Sequence, residues 1–107
     1  MTIFEASVDE LESALQGGAR LVDVREPDEY HAGHVPGAVL VPLATVPDAL
    51  GQFGTDGPTY VICKSGARSY RVCEYLSDQG LEGINIEGGM MAWIISGRTT
   101  VSGDQPA

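Results

Sequence analysis

The stretch Tyr60-Val61-Ile62-Cys63-Lys64-Ser65-Gly66-Ala67-Arg68-Ser69-Tyr70-Arg71-Val72-Cys73-Glu74-Tyr75-Leu76-Ser77-Asp78 decides the fold. Tyr60-Val61-Ile62 is a short apolar run of good strand formers, as a buried strand requires. Lys64-Ser65-Gly66 cannot continue a core strand, so the strand ends at Cys63. From Ala67 or Arg68 to Asp78 the period becomes helical, with Ser69, Val72, Cys73 and Leu76 on the inner face. Gly80 ends this helix. A strand running through a tight loop into a helix is half of a parallel βαβ unit.

The same alternation extends in both directions. Ser7-Val8-Asp9-Glu10 reads as a capping box opening a helix. Val8, Leu11, Ala14 and Leu15 form its apolar face, and Gly17-Gly18 stops it. Leu21-Val22-Asp23-Val24 suits a buried strand, and Glu26-Pro27-Asp28-Glu29 starts a short helix ending near Gly33. His34-Val35-Pro36-Gly37 is a turn, Val39-Leu40-Val41 a second apolar run, and Pro47-Asp48-Ala49-Leu50 the expected start of another helix. Downstream, Ile84-Asn85-Ile86 is a strand and Met90–Ser96 a helix. Met90, Trp93 and Ile94 are expected in the core, with Thr99–Val101 covering a second stripe of Met91 and Ile95. From Gly97 the chain is a polar tail, extended at first and loose toward Ala107. Strands alternating with helices give an α/β fold with a mainly parallel sheet covered on both faces. In such a sheet ligands bind beyond the C-terminal strand ends. Two of those ends carry chemistry here, Asp23-Val24-Arg25 and Cys63-Lys64.

The composition narrows the function. The 107 residues fit one domain and carry a net charge of −9. An acidic chain of this kind repels polyphosphate, which argues against nucleic acid and anionic membrane as partners. No apolar run is long enough to span a bilayer, and the N-terminus lacks the pattern of a secretory signal. Two cysteines make no disulfide framework, so the expected compartment is the reducing cytoplasm.

Cys63 is the candidate nucleophile. A loop between a strand end and a helix start can turn its backbone N–H groups onto one centre as an anion-binding nest. The helix dipole adds positive potential there, Gly66 permits the backbone angles, and Lys64 and Arg68 add full charges. Ser69 can donate its hydroxyl to the sulfur or cap the helix. All these terms favour a thiolate. Cys73, between Val72 and Leu76, reads as a packing cysteine. His31 and His34 do not match a zinc spacing, and no metal or cofactor is expected. Asp23 is expected to brace the site rather than react, either by orienting Arg68 and the loop or by anchoring its own turn. Arg25 and Glu29, four apart, suggest a local ion pair.

The loop, Cys63, four residues, then Arg68-Ser69, resembles the active-site loop of the rhodanese family. Leu21-Val22-Asp23-Val24-Arg25-Glu26, Glu29-Tyr30 and Gly33-His34-Val35-Pro36-Gly37-Ala38 resemble that family's N-terminal signature. Glu87-Gly88-Gly89-Met90-Met91-Ala92-Trp93 resembles its C-terminal one. The resemblance covers residues 3–101 and leaves 102–107 as a tail. Ile94-Ile95 departs from it, since polar residues usually follow the tryptophan there.

The resemblance implies a single rhodanese-like domain with a five-stranded parallel sheet, and a ping-pong sulfurtransferase. Thiosulfate or a similar anionic donor would give its outer sulfur to Cys63. The persulfide would rest among Lys64, Ser65, Gly66, Ala67, Arg68 and Ser69, and a thiol or cyanide would remove it. Related cysteine phosphatases place five residues between cysteine and arginine. The four here form a tighter nest, suited to a single sulfur atom. The competing expectation is a persulfide carrier or protein-binding module fed by a partner enzyme, with the acidic surface used for docking. A monomer or weak homodimer is expected.

Overall fold

The computed structural model describes residues 2–54 and 56–107. Five strands alternate with four helices: β1 Phe4–Ala6, α1 Val8–Gln16, β2 Arg20–Asp23, α2 Pro27–Ala32, β3 Val39–Leu40, β4 Thr59–Ile62, α3 Ala67–Asp78, β5 Gly83–Ile86 and α4 Gly89–Ile95. All pairings are parallel and the strand order is β1-β5-β4-β2-β3. The capping box at Ser7 forms as expected: Ser7 Oγ accepts from Glu10 N–H, and the Glu10 carboxylate accepts from Ser7 N–H.

Period-two alternation sorts the strands onto two cores. Leu21, Ile62 and Ile86 face one side, with Leu11, Tyr30, Met90 and Trp93 from α1, α2 and α4. Val22, Val24, Val61 and Cys63 face the other, with Val72, Cys73 and Leu76 of α3 and with Val46 and Phe53. Cys63 therefore lies on the α3 side. The connection from β2 to β3 runs to one side of the sheet and that from β4 to β5 to the other. The two diverge between the C-terminal ends of β2 and β4, the position at which such sheets bind ligands. Asp23 ends β2 on one side of this switch point and Cys63 follows β4 on the other, both buried.

Several expectations are corrected. The segment around Pro47 forms two 3₁₀ turns, Leu43–Asp48 and Leu50–Gln52, with Pro47 inside the first rather than opening a helix. The core face of α4 is narrow, so Met90 and Trp93 are buried while Ile94 is 59% exposed. Met91 and Ile95 are also exposed. The segment expected to cover them runs instead to the other side. The Trp93 indole N–H donates to Thr99 O, and Val101 bridges to His34. The tail beyond it is held, not loose: Gly37 N–H donates to Pro106 O and Gly103 N–H to His31 O. His34 is buried, stacks on Tyr30 at 3.6 Å between centroids and meets Gln105 O at 2.8 Å, while His31 meets Asp104. Both histidines thus serve packing of the tail.

Candidate active site

The loop from Cys63 to Ser69 is shaped by what it must not touch. Gly66 sits at φ 105°, a left-handed conformation that glycine adopts without penalty, and caps α3. Its N–H donates to Cys63 Sγ at 3.1 Å. On the other side, Gly89 approaches so closely that a Cβ there would lie 2.4 Å from Cys63 O. That approach lets Met90 N–H donate to Cys63 O at 2.8 Å and Met91 N–H to Lys64 O at 3.0 Å. The free amides at the start of α4 thus hold the loop's carbonyls. The loop's own amides stay free to turn toward the sulfur.

Burial of Cys63 pushes its pKa up, and hydrogen bonds more than reverse it. The Ser69 hydroxyl and the N–H groups of Ser69, Gly66 and Ser65 bring the thiol below its ordinary value. Ser69 Oγ lies 3.2 Å from the sulfur. The cationic contribution is smaller than the sequence suggested. Arg68 makes a two-pronged pair with Glu29 at 2.8 and 3.0 Å, which spends most of its charge. Arg68 still feels the thiolate across the site. The Glu29 carboxyl is lowered to about 2, first by that Arg68 hydrogen bond and against a smaller effect of burial. Lys64 is exposed and makes no ion pair among the described residues.

The expected Arg25–Glu29 pair does not form, because Arg25 precedes α2 and helical spacing never applies to it. Arg25 instead turns back on Asp23. Its Nε and Nη2 donate to both carboxylate oxygens at 2.8–3.1 Å, and its N–H donates to Asp23 Oδ1. Arg25 Nη2 also donates to Gly33 O at 2.8 Å. Asp23 therefore anchors its own turn and makes no hydrogen bond to Arg68. It braces the far end of α2, the helix that presents Glu29 to Arg68.

Two contributors were missed in the sequence. Asn85, in the centre of a core strand, accepts from Ser69 Oγ at 2.5 Å and donates to Gly66 O at 3.1 Å. Glu5 on β1, in register with Asn85, accepts from its Nδ2 at 2.9 Å. Those two acceptors fix the amide so that Oδ1 faces Ser69. Ser69 has a single hydroxyl proton and three acceptors within reach, Cys63 Sγ, Asn85 Oδ1 and, at the longest distance of 3.3 Å, Gly66 O. A thiolate draws it to sulfur, and a neutral thiol leaves it on Asn85. A polar side chain inside Ile84-Asn85-Ile86 was the available signal, since a buried amide needs partners. Cys73 is fully buried, and burial, helped by the charges of Glu5 and Cys63, pushes its thiol up to about 12. It is a packing cysteine, as read from its helical spacing.

A family model, the Rhodanese-like domain, matches residues 7–96. The chain belongs to the rhodanese-like family. YtwF of Bacillus subtilis is 39% identical to it over 95 residues, covering 87% of this chain and 92% of that protein. A sulfurtransferase of Allochromatium vinosum is 37% identical, covering 77% of this chain and 78% of its own. Among solved structures, a rhodanese-like domain protein from Staphylococcus aureus is 39% identical. It superposes with a TM-score of 0.80 over 85% of this chain and 91% of that one. The five-stranded parallel sheet is the fold of this rhodanese-like domain. Among the described residues, no helix is long and apolar enough to cross a membrane.

Proposed function

We propose that this rhodanese-like domain is a sulfurtransferase that moves the outer sulfur of thiosulfate, or a similar anionic donor, through a persulfide on Cys63. The observation that carries the reading is the set of donors on one sulfur: Gly66 N–H at 3.1 Å and Ser69 Oγ at 3.2 Å, with the thiol held below its ordinary pKa. The Cys63 thiolate attacks the donor's outer sulfur. A new S–S bond forms at Sγ, the donor's own S–S bond breaks, and sulfite leaves with the electron pair. The persulfide is again an anion, so the same loop amides stabilise it. Cyanide or a thiolate then takes the outer sulfur, and the electron pair of the broken bond returns to Sγ. Lys64, exposed and paired with no carboxylate among the described residues, supports this reading as the group that draws in an anionic donor. Cys63 is only 1% exposed, which favours donors with a slender terminal sulfur.

The test is turnover of thiosulfate and cyanide to thiocyanate. Activity lost in Cys63→Ser and donor affinity weakened in Lys64→Ala are the expected results; activity that survives Cys63→Ser overturns the proposal. A second reading, a persulfide carrier loaded by a partner enzyme, is favoured by the exposed stripe of Met91, Ile94 and Ile95 on α4, the helix bonded to the loop. Intact mass separates the two. A sulfur gained from thiosulfate alone supports the enzyme, and a sulfur gained only from a protein persulfide supports the carrier.

A further inference from the structure

Asn85 is a polar side chain in the middle of a core strand, only 1% exposed, where an amide costs stability unless it is hydrogen-bonded. Its register partners are Val61 on β4 and Glu5 on β1, so it lies on the α3 side of the sheet, the side of Cys63. The two halves of its amide face different partners. Nδ2 donates to Glu5 Oε2 at 2.9 Å and to Gly66 O at 3.1 Å, which ties the loop to β5 and β1. That half alone would hold the loop. The carbonyl half accepts from Ser69 Oγ at 2.5 Å, and Ser69 is also the side-chain donor 3.2 Å from Cys63 Sγ. Turning the amide over would lose both Nδ2 bonds, so its oxygen stays presented to Ser69.

One hydroxyl proton cannot serve both acceptors. A thiolate forms a charge-assisted hydrogen bond and takes the proton from a neutral amide. A thiol is a weak acceptor and leaves it on Asn85. In a persulfide Sγ is bonded on both sides and the negative charge sits on the outer sulfur, so Sγ is again a weak acceptor. The Ser69 O–H bond stays intact at every stage; only its direction changes.

We infer that Asn85 is a positioning residue for the Cys63 nucleophile: it takes the Ser69 hydroxyl away from Sγ whenever Sγ is uncharged, and so keeps the loop from over-stabilising the thiolate. An over-stabilised thiolate attacks slowly, because reactivity toward a sulfur–sulfur bond falls as the attacking thiol becomes more acidic. The persulfide stage rests on the sulfurtransferase reading; the exchange between thiol and thiolate does not.

The experiment is a double-mutant cycle of Asn85→Leu and Ser69→Ala, read by thiolate absorbance in the Cys73→Ala background. Asn85→Leu removes the competing acceptor and should lower the Cys63 midpoint by about half a unit to one unit, opposite in sign to Ser69→Ala. In the Ser69→Ala background it should leave the midpoint where it was. Glu5 faces the amide from β1 and Arg68 faces the sulfur from α3 in every variant, so their charges drop out of the comparison. A midpoint that Asn85→Leu raises or leaves unchanged, or that moves equally without the Ser69 hydroxyl, overturns the inference, because an amide that only holds the loop predicts those results. Above both midpoints, kcat/KM for thiosulfate should fall about two- to threefold in Asn85→Leu, and a rise overturns the inference. Absence of thiosulfate turnover in the wild type would count against the sulfurtransferase reading alone, with the midpoints still deciding the role of Asn85. A second measurement keeps Asn85 in place: the side-chain carbonyl carbon of Asn85 is followed by NMR through the Cys63 titration. Its shift should change at the sulfur's midpoint, return toward the thiol value on loading with thiosulfate, and do neither in Ser69→Ala. A signal that ignores the charge on the sulfur, or follows it equally without the hydroxyl, overturns the inference even if Asn85→Leu fails to fold.

Discussion

Replacing Arg25 by methionine should be the most damaging change outside the hydrophobic core. Asp23 is 0% exposed and Arg25 6%, so the pair lies almost wholly out of water. Arg25→Met keeps a long apolar stem of similar reach but removes the three side-chain contacts to the carboxylate, at 3.0, 3.1 and 2.8 Å. Only the Arg25 backbone N–H remains on Asp23 Oδ1. Breaking a buried pair by removing one partner costs about 3–5 kcal/mol, because the other charge stays buried and unmatched. Against a total stability of about 5–15 kcal/mol, that is a large share. Tm should fall by more than about 12 °C for a domain of this size. The double variant Asp23→Leu/Arg25→Met removes the stranded charge, and most of the loss should return. About 1 kcal/mol should stay missing, since the residue-25 N–H loses its acceptor. Urea unfolding followed by Trp93 fluorescence measures both. A loss under about 1 kcal/mol in the single variant, or a double variant no more stable than the single, refutes the idea that this pair braces the β2 turn.

Three further outcomes follow from the site and its surroundings. Ser69→Ala should slow alkylation of Cys63 at neutral pH by about tenfold, because the thiolate loses a hydrogen bond; an unchanged rate would show that the hydroxyl stays on Asn85 throughout. Glu29 has its carboxyl lowered from an ordinary 4.5 to about 2, so its stabilising effect is complete above pH 4.5 and is lost as pH falls toward 2. With the pair partly open to solvent this amounts to about 0.5–1 kcal/mol, and Glu29→Gln should remove that part of the acid dependence of urea midpoints. Ile95→Lys, at a residue 82% exposed, should leave Tm almost unchanged, within about 0.5 kcal/mol; a larger loss would place Ile95 in a packed environment.

Much of this arrangement is legible in the residues alone. The Ser7 capping box, the end of β4 at Cys63 and the helix from Ala67 to Asp78 all follow from local chemistry, and the structure keeps them. What escaped the sequence is mostly long-range. β1 is three residues at the sheet edge with Phe4 exposed, too short for alternation to mark it, yet it delivers Glu5 to Asn85. Arg68 and Glu29 stand 39 residues apart, and nothing local announces that each spends its charge on the other. The spacing of Arg25 and Glu29 suggested the wrong pair because only a helix brings residues four apart together. Ile94 shares a helical stripe with Met90, but the inner face of α4 is narrower than the period allows for. The tail gave no periodic signal, and it is held by backbone hydrogen bonds and two histidines instead.

The claim on which the rest depends is that the loop keeps the Cys63 sulfur negatively charged at neutral pH. Titration of thiolate absorbance in the Cys73→Ala variant, where Cys63 is the one remaining thiol, measures this directly. A midpoint below that of an ordinary cysteine, about 8.5, is the predicted result. A midpoint at or above it would mean that burial outweighs the hydrogen bonds, and the nucleophile assigned to Cys63 would lose its physical basis.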